Sequence, residues 1–307
     1  MGERLIGAIE AGGTKFVLAL AREDGTILAE ELIATRAPAE CFPDVAAFFR
    51  SAAATHGTIA AFGVASFGPI GIDASAADYG RFAATPKPGW AGARFGDVLG
   101  EFGVPLVIDT DVNGAALGEW ALGAGRGCET LAYTTVGTGI GSGVVRAGRS
   151  LAGFSHYESG HIPVARDPRR DPFPGNCPFH GDCLEGLASG AAIAARWGPE
   201  LSTLTEADGR VELIAGYLAQ LAASLVLLHM PDRLVFGGGV MKTTGLVEAL
   251  RAATERRLGG YIRAPQLDAG LARYIVTPEL GDRAGIAGAI LLGRRALARP
   301  GQARSSS

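Results

Sequence analysis

The chain lacks any run of about 18 uninterrupted apolar residues, the length a membrane-spanning helix requires. Its best approach, Leu213 to Met230, is broken by Gln220, Ser224 and His229 and reads as a buried helix. It also lacks a secretory leader pattern, because Glu10 and Lys15 interrupt the first apolar stretch. These absences predict a cytoplasmic protein with no membrane partner. Cysteine is scarce, with 4 residues, and in a reducing compartment no disulfide framework is expected. Neither sign of charge dominates: 28 Lys and Arg stand against 31 Asp and Glu, a net charge of −3 that gives no global attraction to nucleic acid. Lysine is nearly missing, found only at Lys15, Lys87 and Lys242, with arginine at every other basic position. With the abundance of alanine, this reads as genomic base-composition bias without functional content. The motif G-x-x-x-x-G-K-[ST] is absent as well, which excludes a P-loop enzyme.

Glycine, by contrast, is abundant: 46 of 307 residues, about twice the usual ~7%. Apolar residues make up 48% and charged ones 19%. That supplies material for buried cores and excludes disorder, and the length predicts two domains.

Along the chain, strand-like runs in 5–20 flank Gly12-Gly13-Thr14, a hairpin signal. A further strand is expected over 26–34, a helix over 40–56, and a strand over 60–65 running into Phe67-Gly68-Pro69. After a loop-rich stretch (73–90) and a helix (93–102), a buried strand over 105–108 leads to Asp109-Thr110-Asp111 and a helix over 112–122. The strand–glycine turn–strand signal then recurs over 130–145 around Gly137-Thr138-Gly139, placing Thr138 124 residues after Thr14. That hints at a duplicated architecture. Residues 163–183 are rich in Pro, Arg and Asp and lack core formers. The chain then reads as mainly helical to about 230, with a strand at 234–236 closed by Gly237-Gly238-Gly239, a helix over 244–258 and a closing helix over 285–297. Residues 300–307 read as a flexible tail. Alternating strands and helices mean α/β.

Glycine lets a backbone approach a ligand closely, and successive backbone N–H groups in such turns cradle an anion. Each cluster alone could be only a tight turn, but three after strands, two of them with threonine, point to a phosphate-binding role. The first cluster leads into a strand where a dinucleotide fold needs a helix. Hairpin-borne phosphate turns that occur twice belong to the actin-like, sugar-kinase architecture.

At this point the residues resemble a known family. Glu10-Ala11-Gly12-Gly13-Thr14-Lys15 resembles the first phosphate loop of the ROK sugar kinases, and Val136 to Gly141 their second. Thr110 to Ala116 is similar to their catalytic-aspartate segment, Phe236 to Val240 to their adenosine loop, and Glu158-Ser159-Gly160-His161 with Cys177-x2-His180-x2-Cys183 to their zinc signature. The match runs in order over nearly the whole chain. Residues 10–16, 85–90 (Thr-Pro-Lys-Pro-Gly-Trp) and 177–190 are similar to the bacterial zinc-containing fructokinase branch. Three departures stand out: Glu10 where many members have Asp, Thr110 where Asn is common, and Ala191 where Pro often follows Ser-Gly.

The resemblance implies an actin-like, ribonuclease H-like ATPase fold with two lobes around a central cleft that closes on the sugar. The first lobe would span 1–113, with the closing helix (285–299) packing back on it. The second would span 114–284 and carry the zinc-binding segment 161–183. It implies that Asp111 is the general base for phosphoryl transfer, although by local sequence alone an aspartate there is as readily a helix N-cap. Asp109 is its closest rival and falls outside the motif. ATP and its phosphates would be held by Gly12, Gly13, Thr14, Lys15, Gly137, Thr138, Gly139, Gly237, Gly238 and Gly239, with Glu10 a candidate Mg²⁺ ligand. The hexose would be held by Gly68, Thr110, Asp111, Glu158, His161 and Glu185.

His161, Cys177, His180 and Cys183 supply two nitrogens and two sulfurs, a closed tetrahedral donor set for structural Zn²⁺ that would also order the polar segment. The remaining histidines and cysteines (His56, His156, His229, Cys41, Cys128) read as structural or surface residues. The activity implied is ATP-dependent phosphorylation of D-fructose to fructose 6-phosphate, with mannose or glucose as the near alternative. A homodimer is the assembly the family suggests. Two other classes remain: a non-catalytic sugar-sensing protein, and a regulator carrying a DNA-binding helix-turn-helix ahead of the first phosphate turn, for which ten residues leave no room.

Overall fold

The structure is a computed structural model that describes residues 4–85, 87–198, 209–267 and 270–298. The expected tail at 300–307, and part of the helical stretch before 230, lie outside the described residues. Mixed α/β structure is found throughout, in two compact units. The first comprises 1–118, 152–156 and 282–307; the second comprises 119–151 and 157–281. The division therefore falls at Gly118/Glu119, inside a helix and a few residues beyond the expected boundary at 113.

In the first unit, β1 (Leu5–Ala11) pairs antiparallel with β2 (Lys15–Arg22), and β2 with β3 (Ile27–Ala34). On its other side β1 pairs parallel with β4 (Ile59–Ser66), and β4 with β5 (Leu106–Thr110). The order is β3-β2-β1-β4-β5. The second unit repeats it: β6 (Thr130–Val136) and β7 (Ile140–Arg146) form the hairpin, and β8 (Arg149–Ser150) extends it. β9 (Arg233–Gly237) and β10 (Ile275–Val276) add parallel strands on the far side, giving β10-β9-β6-β7-β8. The duplication suggested by the spacing of Thr14 and Thr138 is thus a repeated sheet topology. β8 and β10, two residues each, had no sequence signal, since so short an element shows no periodicity.

The strands alternating in sequence with helices are buried on nearly every residue: β1 reads Leu5, Ile6, Ala8, Ile9 and Ala11, all at 1% exposure or less. That pattern marks a sheet covered on both faces. Helix α1 (Pro38–His56) lies on the first sheet and α2 (Phe95–Leu99) beside it. Helix α3 (Asp111–Leu122) follows β5 without a loop. In the second unit come α4 (Leu184–Ala188), α5 (Gly190–Trp197), α6 (Arg210–His229) and α7 (Leu246–Leu258). By length and composition α6 is apolar enough to cross a membrane. Here it is the core helix of its unit, burying Ile214, Leu218, Leu221 and Leu225.

Helix α8 (Ala284–Ala298) lies in the first unit, against β4, β1 and β5. Its close approach accounts for several of the glycines. A Cβ on Gly288 would stand 1.8 Å from the carbonyl oxygen of Gly114, and one on Gly63 2.0 Å from that of Ala289. Backbones this close admit no side chain, and the contact sets the amino-terminal end of α8 beside that of α3.

Candidate active site and metal centre

The first unit collects its candidate residues at one edge of its sheet. Ala11, Ser66 and Thr110 are in register across β1, β4 and β5. The residues that follow them, Gly12, Phe67 and Asp111, therefore leave the sheet side by side. With strands ~4.8 Å apart, the backbones at Gly12 and Asp111, two strands apart, leave the sheet about 10 Å from each other. Ligands in open α/β sheets bind at such carboxyl ends. The turn is closed by the amide of Gly12 donating to the Lys15 carbonyl at 2.9 Å, and braced by the Thr35 hydroxyl donating to the Gly12 carbonyl at 2.8 Å. Gly13, Thr14 and Lys15 are exposed.

The structure separates the two rival aspartates. Asp109 is buried; its carboxylate accepts from Asn113 Nδ2 at 2.6 Å and from the Thr110 amide at 2.8 Å, so it is consumed in joining β5 to α3. The Thr110 hydroxyl accepts from the Asn113 amide at 3.2 Å and serves as the cap of α3. Asp111 is relieved of that job and half-buried at the first helical position, accepting from the Val112 amide at 2.8 Å. Capping, the alternative for Asp111, thus falls to its neighbour.

Glu10 reaches the amino-terminal end of α8, where a Cβ on Gly285 would lie 2.4 Å from its carboxyl carbon. Burial first, and the Asp111 charge second, push its carboxyl up to about 7, against weaker lowering by Lys15 and the Ile286 amide. Its Oε2 is buried with no hydrogen-bond partner. A buried, unsatisfied carboxylate oxygen beside a second carboxylate is chemistry suited to a hydrated divalent cation.

In the second unit β6 and β9 run parallel, with Thr135 opposite Gly237, so the turn Gly137–Gly139 and the loop Gly237–Gly239 open at the same sheet edge. Gly238 has φ +91°, and a Cβ there would stand 2.4 Å from the Val136 carbonyl oxygen. This glycine is required for the Gly237–Gly239 loop to lie on β6. The Gly190 amide donates to the Gly137 carbonyl at 2.7 Å, tying α5 to the turn.

His161, Cys177, His180 and Cys183 converge, with all four donor atoms within 4.8 Å of one another. His161 Nδ1 lies 3.7 Å from Cys177 Sγ and 3.6 Å from Cys183 Sγ, and His180 Nδ1 3.7 Å from Cys177 Sγ. A tetrahedral ion with Zn–S near 2.3 Å and Zn–N near 2.0–2.1 Å would hold its ligand atoms about 3.5 Å apart, so the donors fit. Both imidazoles present Nδ1, a choice sequence cannot reveal. His161 Nε2 is left 3.9 Å from Glu185 Oε1, while Glu185 Oε2 accepts from the Ile140 amide at 2.8 Å. Glu185 therefore links the Cys/His cluster to the second glycine turn. Glu158 is exposed and starts the short turn that carries His161.

The polar segment 163–183 is held by more than the converging Cys and His side chains. Gln220 on α6 pairs with both the amide and the carbonyl of Ala165, each at 2.8 Å. Asp171 is buried, accepting from the Tyr217 hydroxyl at 2.7 Å and pairing with Arg196 at 3.2 Å. Sequence reasoning missed this anchor because its members are far apart in the chain. It also passed over His156, whose ring would lie 3.5 Å from a Cβ on Gly68 in the loop after β4; no motif surrounds it.

The ROK family model matches residues 6–296. The chain is 42% identical over 295 residues to the fructokinase of Zymomonas mobilis, covering 94% of this chain and 96% of that protein. It is 40% identical over 294 residues to the fructokinase of Pediococcus pentosaceus, covering 95% and 99%. Among solved structures, the ROK hexokinase of Thermus thermophilus matches with a TM-score of 0.76 at 28% identity, covering 96% of this chain and 99% of that one. The repeated sheets are those of the actin-like ATPase fold, and this chain belongs to the ROK family.

Proposed function

We propose that this chain is an ATP-dependent fructokinase that converts D-fructose and ATP to fructose 6-phosphate and ADP. One observation carries the reading: Asp111 stands at the same sheet edge as the Gly12–Lys15 turn, with Asp109 consumed structurally. Relatives named fructokinase at about 40% identity over most of both chains support the choice of sugar.

In this reading the backbone amides of Gly12 to Thr14 and Gly137 to Gly139 hold the ATP phosphates, Lys15 adds charge beside them, and Gly237 to Gly239 receive the adenosine. Gly68, Thr110, Glu158, His161 and Glu185 orient the hexose through its hydroxyls. The Asp111 carboxylate accepts the proton of the 6-hydroxyl as that oxygen forms its bond to the γ-phosphorus. The bond from that phosphorus to the β,γ-bridging oxygen breaks, and ADP leaves with the electron pair. Glu10 would hold Mg²⁺, directly or through water; when bound, the ion neutralises phosphate charge. His161, Cys177, His180 and Cys183 would hold a structural Zn²⁺ that fixes the His161 ring. None of the four cysteines is in a disulfide, and the compartment we expect is the cytoplasm. The assembly we expect is a homodimer, which the mass in solution reads directly.

The test is ADP release with MgATP against fructose, mannose, glucose and N-acetylmannosamine, with Asp111→Asn as control. Fructose-dependent turnover that collapses in the control is expected. Sugar binding without turnover would replace the reading with a sugar-sensing protein.

A further inference from the structure

The scarcity of lysine becomes informative once its three positions are compared with the fold. Lys15 ends the first glycine turn, Lys242 lies three residues beyond Gly239, and Lys87, distant in sequence from any glycine cluster, folds back onto the first one. A chain that uses arginine almost everywhere keeps lysine at its anion-binding turns. There a compact ammonium with three donors differs most from a planar guanidinium fork.

Lys87 is held in place by a neighbour in the core. Trp90 is 1% exposed and packs with Phe16, Phe42, Phe67 and Phe82 at ring-centroid distances of 5.7, 5.6, 5.0 and 4.8 Å. Its indole N–H donates to the Arg36 carbonyl at 2.9 Å. This anchors the end of the 85–90 segment beneath the first turn and brings half-buried Lys87 across it. The ammonium donates to the Gly13 carbonyl and sits 5.3 Å from the centroid of the Phe67 ring. A Cβ on Gly13 would be 3.4 Å from Lys87 Nζ. Among the described residues no carboxylate pairs with Lys87. One of its three N–H donors is used on Gly13, which leaves two, with the positive charge, at the mouth of a turn whose backbone donors are neutral amides.

We propose that Lys87 is a phosphate-binding residue of the first turn, its ammonium contacting the terminal phosphoryl group of a nucleoside triphosphate. The inference rests on the kinase reading above and adds a residue to it. A cation at that group stabilises the charge carried by the phosphoryl oxygens during transfer. The competing role is mechanical: Lys87 could serve only to brace the turn through the Gly13 carbonyl.

Two substitutions separate these roles. Lys87→Met removes both charge and donor; Lys87→Gln removes the charge but keeps a donor for Gly13. Binding of MgADP and of a non-hydrolysable MgATP analogue is measured by calorimetry on the folded full chain, alongside kcat with fructose. We expect both variants to keep ADP affinity within about 2-fold, to lose at least ~10-fold for the triphosphate analogue, and to lose about 10²-fold in kcat, with melting temperatures unchanged. Equal weakening of diphosphate and triphosphate, or recovery of triphosphate binding in Lys87→Gln, would overturn the proposal in favour of bracing, as would wild-type behaviour of both variants. Should the wild type phosphorylate no sugar, the kinase reading fails, while the diphosphate–triphosphate comparison still decides the role of Lys87.

Discussion

The carboxylates of Glu10, on β1, and Asp111, at the start of α3, act on each other electrostatically, and after burial the Asp111 charge is the main reason that Glu10 titrates near 7. Strand register and the close glycine contact between α8 and α3 bring about the pairing. Two neighbouring carboxylates, one with an unsatisfied buried oxygen, are costly without a cation.

That cost has a pH signature. Glu10 binds its proton more tightly when folded, at about 7, than at its ordinary 4.5. Its ionisation therefore costs the fold nothing below pH 4.5, increasingly between 4.5 and 7, and a constant amount above. Without nucleotide or divalent cation, Glu10→Gln should gain stability over wild type across that window, by at most about 3 kcal/mol at pH 8. Urea midpoints for both proteins at pH 4.5 and 8 check this; a difference that does not change with pH would contradict it.

Asp111 and Asp109 should fail in different ways. Asp111→Asn is expected to lower kcat by about 10²–10⁴-fold with little change in melting. Asp109→Asn breaks a buried carboxylate bonded to Asn113 and the Thr110 amide, and should cost about 1–3 kcal/mol of stability. Measuring turnover and denaturation on both variants distinguishes a chemical from a structural aspartate. Near-normal activity in Asp111→Asn would remove it as the base.

The sulfur and nitrogen cluster should hold one zinc per chain. Cys177→Ser is expected to abolish stoichiometric zinc by elemental analysis and to lower the melting temperature, as is prolonged chelation of the wild type. Full zinc in Cys177→Ser would refute the ligand set.

The anchor on α6 predicts that zinc is not the sole support of residues 163–183. Asp171→Asn leaves Arg196 buried without its counter-charge; both side chains are at most 6% exposed. The expected loss is about 3–5 kcal/mol by chemical denaturation of zinc-loaded protein. No loss would mean that the metal alone orders the segment.

What the sequence determined by itself was local: the strand–turn–strand signals, the glycine clusters, the Cys-x2-His-x2-Cys spacing and the candidacy of Asp111. Turn chemistry and periodicity depend on near neighbours in the chain, so they are visible without a fold. Tertiary structure decided what depends on distant residues brought together by strand register and backbone contact. It spent Asp109 on Asn113 and left capping to Thr110, raised Glu10 through burial and Asp111, and turned Nδ1 of both histidines toward the cysteine sulfurs. It also set Glu185 between His161 and the Ile140 amide, and carried Lys87 back onto Gly13. Most of these depend on burial or on partners tens of residues away, and even the short-range bonds of Asn113 to Asp109 and Thr110 form only with β5 and α3 in place.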